Sequence, residues 1–287
     1  MRYEAPTTTS EAATLLAGET GEAFVLAGGT DLLVRMKNMM IEPELVVDVK
    51  RIAEMRTIQT NDDGGFRIGA AVSGMEIGEH EALGRAWPGV VEAVRLIGSD
   101  QIQGRCTIAG NVCNASPAAD TTPALMAADA KVEIVGPDGR RTVPVASVAT
   151  GPGRTSLAKG ELIEAILLPP RPAGSGDAYL RFTPRSEMDI AVVGVGVNLT
   201  LANGVVSTAR VALGAVGPTA MDVEPAARAI VGSTLDEGAL DALAEACRAA
   251  CKPIDDKRGT IEYRTEVAGV LARRAAMIAF ERAGGSK

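Results

Sequence analysis

The sequence predicts an α+β protein with a longer N-terminal region and a smaller C-terminal one. Short Val- and Leu-rich runs alternate with helix signals up to about residue 55, and a more β-rich stretch follows to residue 170. A tract rich in proline and glycine, Pro169-Pro170-Arg171-Pro172-Ala173-Gly174-Ser175-Gly176, then interrupts the chain. Beyond it, strand signals give way to helix signals, the order of an α+β domain. The expected division is therefore 1–170, with subdomains of about 1–55 and 56–170, a linker at 171–176, and a C-terminal domain at 177–287.

In order along the chain, Ser10 can cap a short helix ending near Gly18, and Ala23–Ala27 reads as a buried strand. Gly28-Gly29 breaks it, Thr30 or Asp31 can cap a helix through Lys37, and Leu45–Val49 is another strand. Asn61-Asp62-Asp63-Gly64-Gly65 turns between short strands, and Ser73-Gly74-Met75-Glu76 has the spacing of a capping box. Lys131–Val135, the turn Pro137-Asp138-Gly139 and Arg141–Val145 form a hairpin, with another strand at Glu161–Leu168. The C-terminal part should hold a three-stranded sheet from Tyr179–Phe182, Ile190–Leu201 and Val205–Leu213. Helices should follow near 223–231, 235–250 and 260–283.

Composition removes several functions. A net charge of −7 gives no attraction to nucleic acid or an anionic membrane. Aromatics are only 3% of the chain, so Ala, Val, Leu and Ile must fill the core. Ile190–Ala209 carries no charge and is long enough to span a bilayer, but its Asn203-Gly204 pair, with Val-rich segments on both sides, reads as a type I′ turn between strands. With no secretory signal in evidence, the expected location is the cytoplasm. Cys106 and Cys113 lack the close spacing of a zinc or iron–sulfur site, and Cys247 and Cys251 sit one helical turn apart in an Ala-rich segment. His80 is the single histidine, on an expected surface helix, which removes most zinc sites and Ser-His-Asp triads. Difficult chemistry here requires a bound cofactor.

Two glycine-bearing loops are the candidates to hold one. Ala27-Gly28-Gly29-Thr30-Asp31-Leu32-Leu33 lies between a strand and a helix, where free N–H groups and close backbone approach suit a pyrophosphate. It matches neither the Rossmann fingerprint nor a Walker loop, and a simple turn explains it equally well. Thr107 to Pro123 is dense in small and hydrogen-bonding residues, suited to wrapping a long polar ligand or to stitching a surface loop.

Together the loops resemble the FAD-binding medium subunit of the molybdenum hydroxylases, the family of xanthine dehydrogenase and carbon monoxide dehydrogenase. The resemblance extends through Pro43–Asp48, Arg185-Ser186-Glu187-Met188-Asp189-Ile190-Ala191, Asp256-Lys257-Arg258 and Tyr263-Arg264, nearly the whole chain. It implies a two-subdomain FAD-binding domain of the vanillyl-alcohol-oxidase (PCMH) type, then a C-terminal flavoprotein domain. By the resemblance, Val25, Leu26, Ala27, Gly28, Gly29, Thr30, Asp31 and Leu32 line the pyrophosphate and part of the flavin. Thr107, Gly110, Asn111, Asn114 and Asp120 embrace the remainder, and Ile97 and Ile163 pack against the cofactor. Arg181 stands where some relatives have a lysine near the flavin. Thr30 and Asp31 fit a capping role as well as ligand contact, and Ile97 and Ile163 also read as core. Arg185 with Asp189 reads as a structural ion pair, while Asp256, Tyr263 and Arg264 secure the last helix or an interface.

The resemblance further implies non-covalent FAD, with the molybdenum cofactor and [2Fe–2S] clusters held by a large and a small partner subunit in a dimer of heterotrimers. NAD is a candidate acceptor. The chain lacks the four-cysteine insert of some reductively working relatives, which favours the oxidative direction. A free-standing FAD oxidase and a non-catalytic nucleotide-binding protein are the alternatives.

Overall fold

The computed structural model describes all residues except Glu187, Ser286 and Lys287, so the Glu187 part of the 185–191 motif lies outside the described residues. The chain opens with β1 (Arg2–Glu4), α1 (Thr9–Gly18), β2 (Ala23–Leu26), α2 (Leu32–Lys37) and β3 (Leu45–Asp48). The strands form a parallel sheet in the order β1-β3-β2, with α1 and α2 lying in the connections that parallel pairing requires. Central β3 is wholly buried. β2 is an edge strand, not the buried strand expected: its residues are half-exposed and Val25 is 36% exposed. At α1 the cap is Thr8 rather than Ser10, because the Thr8 hydroxyl accepts the Glu11 N–H at 3.2 Å and Ser10 lies inside the helix. Asp31 occupies the cap position of α2 with a helical backbone, and its side chain makes no cap bond.

Next come β4 (Ile58–Thr60), β5 (Phe66–Gly69), α3 (Gly74–Glu79), α4 (Glu81–Ala86), α5 (Pro88–Arg95), α6 (Asp100–Gln103), α7 (Ile108–Cys113) and α8 (Thr121–Ala127). β6 (Lys131–Gly136), β7 (Gly139–Pro144), β8 (Ala149–Gly151), β9 (Arg154–Thr155) and β10 (Leu162–Leu168) complete this region. β4-β5-β10-β6-β7 is one antiparallel sheet, and β8 pairs with β9. The hairpin at 131–144 and the Ser73–Glu76 capping box match their reading. The region is richer in helix than the sequence suggests: helices from Gly74 to Ala127 are too short to show clear periodicity. Thr107–Pro123 in particular is not a loop but a helix, a turn and the start of another helix.

The last region holds β11 (Ser175–Phe182), β12 (Val193–Ala202), β13 (Val205–Gly214), β14 (Met221–Asp222), α9 (Glu224–Ile230), α10 (Glu237–Ala250) and α11 (Ile261–Arg282). Its antiparallel sheet follows chain order, β11-β12-β13-β14, so a two-residue strand joins the three expected. Asn203 (φ 53°) and Gly204 (φ 78°) both take the left-handed conformation that a type I′ turn requires. The uncharged 190–209 stretch is thus a hairpin, and among the described residues no helix is long and apolar enough to cross a membrane.

Ala268, Ala272, Ala275, Ala276 and Ala279 give α11 a small-residue face that lies buried on this sheet. Arg282 at the end of α11 pairs with Glu92 on α5 and donates to the Asp177 carbonyl at 2.8 Å. Arg171 binds Asp177 at 2.8 Å, and its guanidinium lies 4.4 Å from the centroid of the buried Trp87 ring. These ties hold α5 against the C-terminal sheet.

Candidate functional site

The first glycine-bearing loop runs from the end of β2 to the start of α2, and its base is anchored by β3. Lys50 Nζ donates to the Ala27 carbonyl at 3.2 Å and to Asp48 Oδ1 at 2.8 Å, while the Tyr3 hydroxyl donates to Asp48 Oδ2 at 2.6 Å. Burial pushes the Asp48 carboxyl up, but the bonds from Lys50 and Tyr3 outweigh it and hold the group below the usual carboxylate range. A charged anchor therefore fixes where the loop departs.

Within that loop Gly28 and Gly29 are required for different reasons. A Cβ on Gly28 would lie 2.9 Å from Cys106 Cα and closer still to the Arg105 carbonyl, so only glycine lets the first segment touch the backbone that leads into the second. Gly29 has φ +79°, a conformation that side chains disfavour. The backbone N–H groups of Gly28, Gly29, Thr30, Asp31 and Leu32 have no hydrogen-bond partner among the described residues. These residues are only partly covered, so the run of free donors stands open to the acceptor atoms of water or of a ligand.

The second segment is ordered by its own side chains. The Thr107 hydroxyl accepts the Gly110 N–H at 3.0 Å and caps α7. Asn111 Oδ1 accepts the N–H of Thr121 at 3.1 Å and its hydroxyl at 2.6 Å, tying α7 to the start of α8. Asp120 pairs with Arg181 of β11 at 2.9 Å, with the Tyr179 hydroxyl at 3.4 Å. Burial pushes the Asp120 carboxyl up to about 6 despite the opposing Arg181 charge. Burial and the Asp120 charge likewise drive the Tyr179 phenol well above its ordinary range.

The two segments wall a cavity of about 350 Å³. Val25, Ala27 to Leu32, Ile97, Thr107, Gly110, Asn111, Asn114 and Ile163, all named from the sequence, lie on its wall. Leu26, Asp120 and Arg181 do not. Leu26 points back under Gly29, and Asp120 with Arg181 forms the ion pair that braces α8 against β11. Sequence reasoning missed Phe24, Arg35, Cys106, Cys113, Thr155 and Leu157 on the wall. Arg35 was findable, one helical turn beyond Asp31; its guanidinium lies 5.7 Å from the Phe24 ring centroid and brings positive charge to the site. Thr155 and Leu157 carry no motif and reach the wall only through tertiary folding.

Burial raises the Cys106 thiol to about 11 and the Cys113 thiol to about 12, so neither is a thiolate nucleophile near neutral pH. His80 is not within a surface helix: it joins α3 to α4, and its Nδ1 accepts the Leu83 N–H at 3.1 Å. Among the described residues no three His, Cys, Asp or Glu side chains gather as a metal site.

Elsewhere, Asp189 is held by Arg258 at 3.0 Å and Arg185 at 3.3 Å, and the Arg258 bond keeps its carboxyl low. Arg264 is buried and joins Asp256 at 2.7 Å and the Val192 carbonyl at 2.9 Å, while Tyr263 packs edge-on to Phe182. These groups fasten α11 to the sheet.

Residues 1–171 match the family described as the FAD binding domain in molybdopterin dehydrogenase, and residues 178–279 match the CO dehydrogenase flavoprotein C-terminal domain. The chain belongs to the FAD-binding medium subunits of the molybdenum hydroxylases. It is 32% identical to the putative xanthine dehydrogenase FAD-binding subunit of Escherichia coli, across 99% of this chain and 97% of that one. The carbon monoxide dehydrogenase medium chain of Hydrogenophaga pseudoflava is 33% identical, with 98% and 97% covered. A solved carbon monoxide dehydrogenase from the same organism superposes with a TM-score of 0.94 at 34% identity, covering 98% of both chains. Membership in the medium-subunit family, its α+β fold and its place in an oxidoreductase are thereby borne out. The site also fits FAD on its own terms. Free amides and Arg35 suit a pyrophosphate, Gly28 permits close approach, and Val25, Ile97 and Ile163 offer apolar surface to a ring.

Proposed function

We propose that this medium subunit relays electrons, receiving them from a [2Fe–2S] subunit and delivering them through FAD to an external acceptor. The observation that carries the reading is the cavity walled jointly by both motif segments, with the Gly28–Leu32 amides unpaired along it. Bound there, FAD supplies one- and two-electron redox chemistry that no side chain can. The chain's own residues bind and orient. The Gly28–Leu32 amides and Arg35 meet the pyrophosphate, Thr107, Gly110, Asn111 and Asn114 meet the polar chain of the cofactor, and Ile97 with Ile163 packs on its ring. Asp120 and Arg181 act from behind, fixing the α7–α8 turn.

In this reading residues 1–170 hold the cofactor and 177–287 form the flavoprotein C-terminal domain, supported by the extents of the two family matches, while the expected 171–176 linker loses its last two residues to β11, where Ser175 and Gly176 pair with Thr200 and Leu199. The molybdenum cofactor and iron–sulfur clusters reside on a large and a small partner subunit, assembled as a dimer of heterotrimers. Relatives named as medium chains support that assignment. Four free cysteines favour the cytoplasm as the compartment.

Purification from the native host under mild conditions tests the reading. The expected result is a complex containing molybdenum, iron and this chain, with FAD released by acid precipitation. The isolated chain should carry FAD, no molybdenum or iron, and no heterocycle- or aldehyde-oxidising activity. Substrate turnover by the isolated chain, or release of FMN instead of FAD, contradicts it.

A further inference from the structure

We propose that Thr121 is a positioning residue for the cofactor site, locking the Asn111 carboxamide so that Asn111 meets the cofactor only as a hydrogen-bond donor. The proposal rests on the FAD reading above and goes further, to the polarity of one contact. Asn111 projects from α7 and lines the cavity, whereas Thr121, the first residue of α8, is wholly buried and absent from the wall. Two donors converge on a single Asn111 atom: the Thr121 N–H at 3.1 Å and the Thr121 hydroxyl at 2.6 Å. A backbone N–H can only donate, so the atom it faces is the carbonyl oxygen.

That oxygen is therefore turned inward and spent. It also replaces a missing cap, because Asp120 makes no side-chain bond to the start of α8 and Asn111 satisfies the first helix amide from a neighbouring helix. The Asn111 Nδ2 group diverges from the oxygen, has no protein acceptor among the described residues, and is not sealed from the cavity. Rotating the carboxamide would set its NH2 against the Thr121 N–H, donor against donor. Asn111 is thus held as a fixed donor for a phosphate, ribityl or flavin oxygen.

Two substitutions separate this from a purely structural role. In Asn111→Asp the inward oxygen keeps both Thr121 donors, and a negative charge at the start of α8 is favourable. The cavity-facing atom, however, changes from donor to acceptor. Titration of FAD onto the flavin-free full-length chain should show affinity falling about tenfold or more. The melting temperature without FAD should hold or rise. Thr121→Val should weaken FAD binding, Thr121→Ser should restore it, and Thr121→Val in an Asn111→Ala background should have no further effect. The proposal is overturned if Asn111→Asp binds FAD as the wild type does. It is equally overturned if Thr121→Val weakens binding as much without the Asn111 carboxamide as with it. A folded wild-type chain that binds no FAD overturns the underlying functional reading instead.

Discussion

The two segments that wall the cavity are built in opposite ways. The first, residues 27–33, offers bare backbone: among the described residues the Gly28–Leu32 amides have no partner, Asp31 makes no cap bond, and Lys50 tethers the segment at Ala27. The second, residues 107–123, is stitched throughout by Thr107, by Asn111 with Thr121, and by Asp120 with Arg181. The first segment therefore leaves its hydrogen bonds for a ligand to complete, whereas the second is finished before any ligand arrives. Substitutions on exposed side chains of the first should change ligand affinity with little change in stability. Those in the second should change both.

Gly28 is the exception within the first segment and the strongest probe of the comparison, because it touches the Arg105–Cys106 backbone that leads into the second. Gly28→Ala drives a methyl into the Arg105–Cys106 backbone, which cannot move like a flexible side chain. The expected loss is about 4 kcal/mol or more of unfolding free energy, alongside lost FAD binding. Urea denaturation of the flavin-free chain measures it, and wild-type stability in that variant would show that Gly28 is not packed on the Arg105–Cys106 backbone.

Asp120 gives a smaller, pH-dependent effect. Its folded carboxyl titrates at about 6, above the ordinary 3.8, so the folded state binds a proton more tightly than the unfolded one. Stability from this group is fully present below pH 3.8 and is lost as pH rises toward 6, the reverse of a carboxylate held low, such as Asp48. Relative to Asp120→Asn, the wild type should lose about 2 kcal/mol between pH 4 and 6.5. A wild-type-minus-variant difference that is flat across that window rejects the assignment.

Asp31→Ala should do least. With an exposed side chain and no cap bond, it should change flavin-free stability by no more than about 0.5 kcal/mol. A loss above ~1 kcal/mol in the same denaturation assay, the scale of a working cap, would restore the capping role.

The features legible in the sequence were those set by local chemistry. The Ser73–Glu76 box, the Asn203-Gly204 turn and the long alanine-rich α11 each carry their cause in a few neighbouring residues. What the chain partners at a distance was not legible. The apolar run Ala23–Leu26 reads as buried but lies at a sheet edge, since strand order is a tertiary fact. Thr107–Pro123 has turn-like composition, yet most of it is the helix pair α7 and α8, whose side-chain bonds come from across the turn. Arg181 could be placed near the cofactor only by resemblance; in the structure it pairs with Asp120 and is not among the residues that line the cavity.

The central claim is that both segments hold one FAD, and Gly110, which lines the cavity from the finished segment and where an added Cβ would lie 2.9 Å from the Thr107 hydroxyl, tests it from that side. The measurement is the unfolding transition of flavin-free wild type, Gly29→Val and Gly110→Val, each with and without added FAD. At about one hundred times the dissociation constant, FAD should stabilise the wild type by roughly 2.7 kcal/mol. The account predicts that both variants unfold cooperatively without FAD and lose most of that rise; a full FAD-dependent rise in both would contradict it.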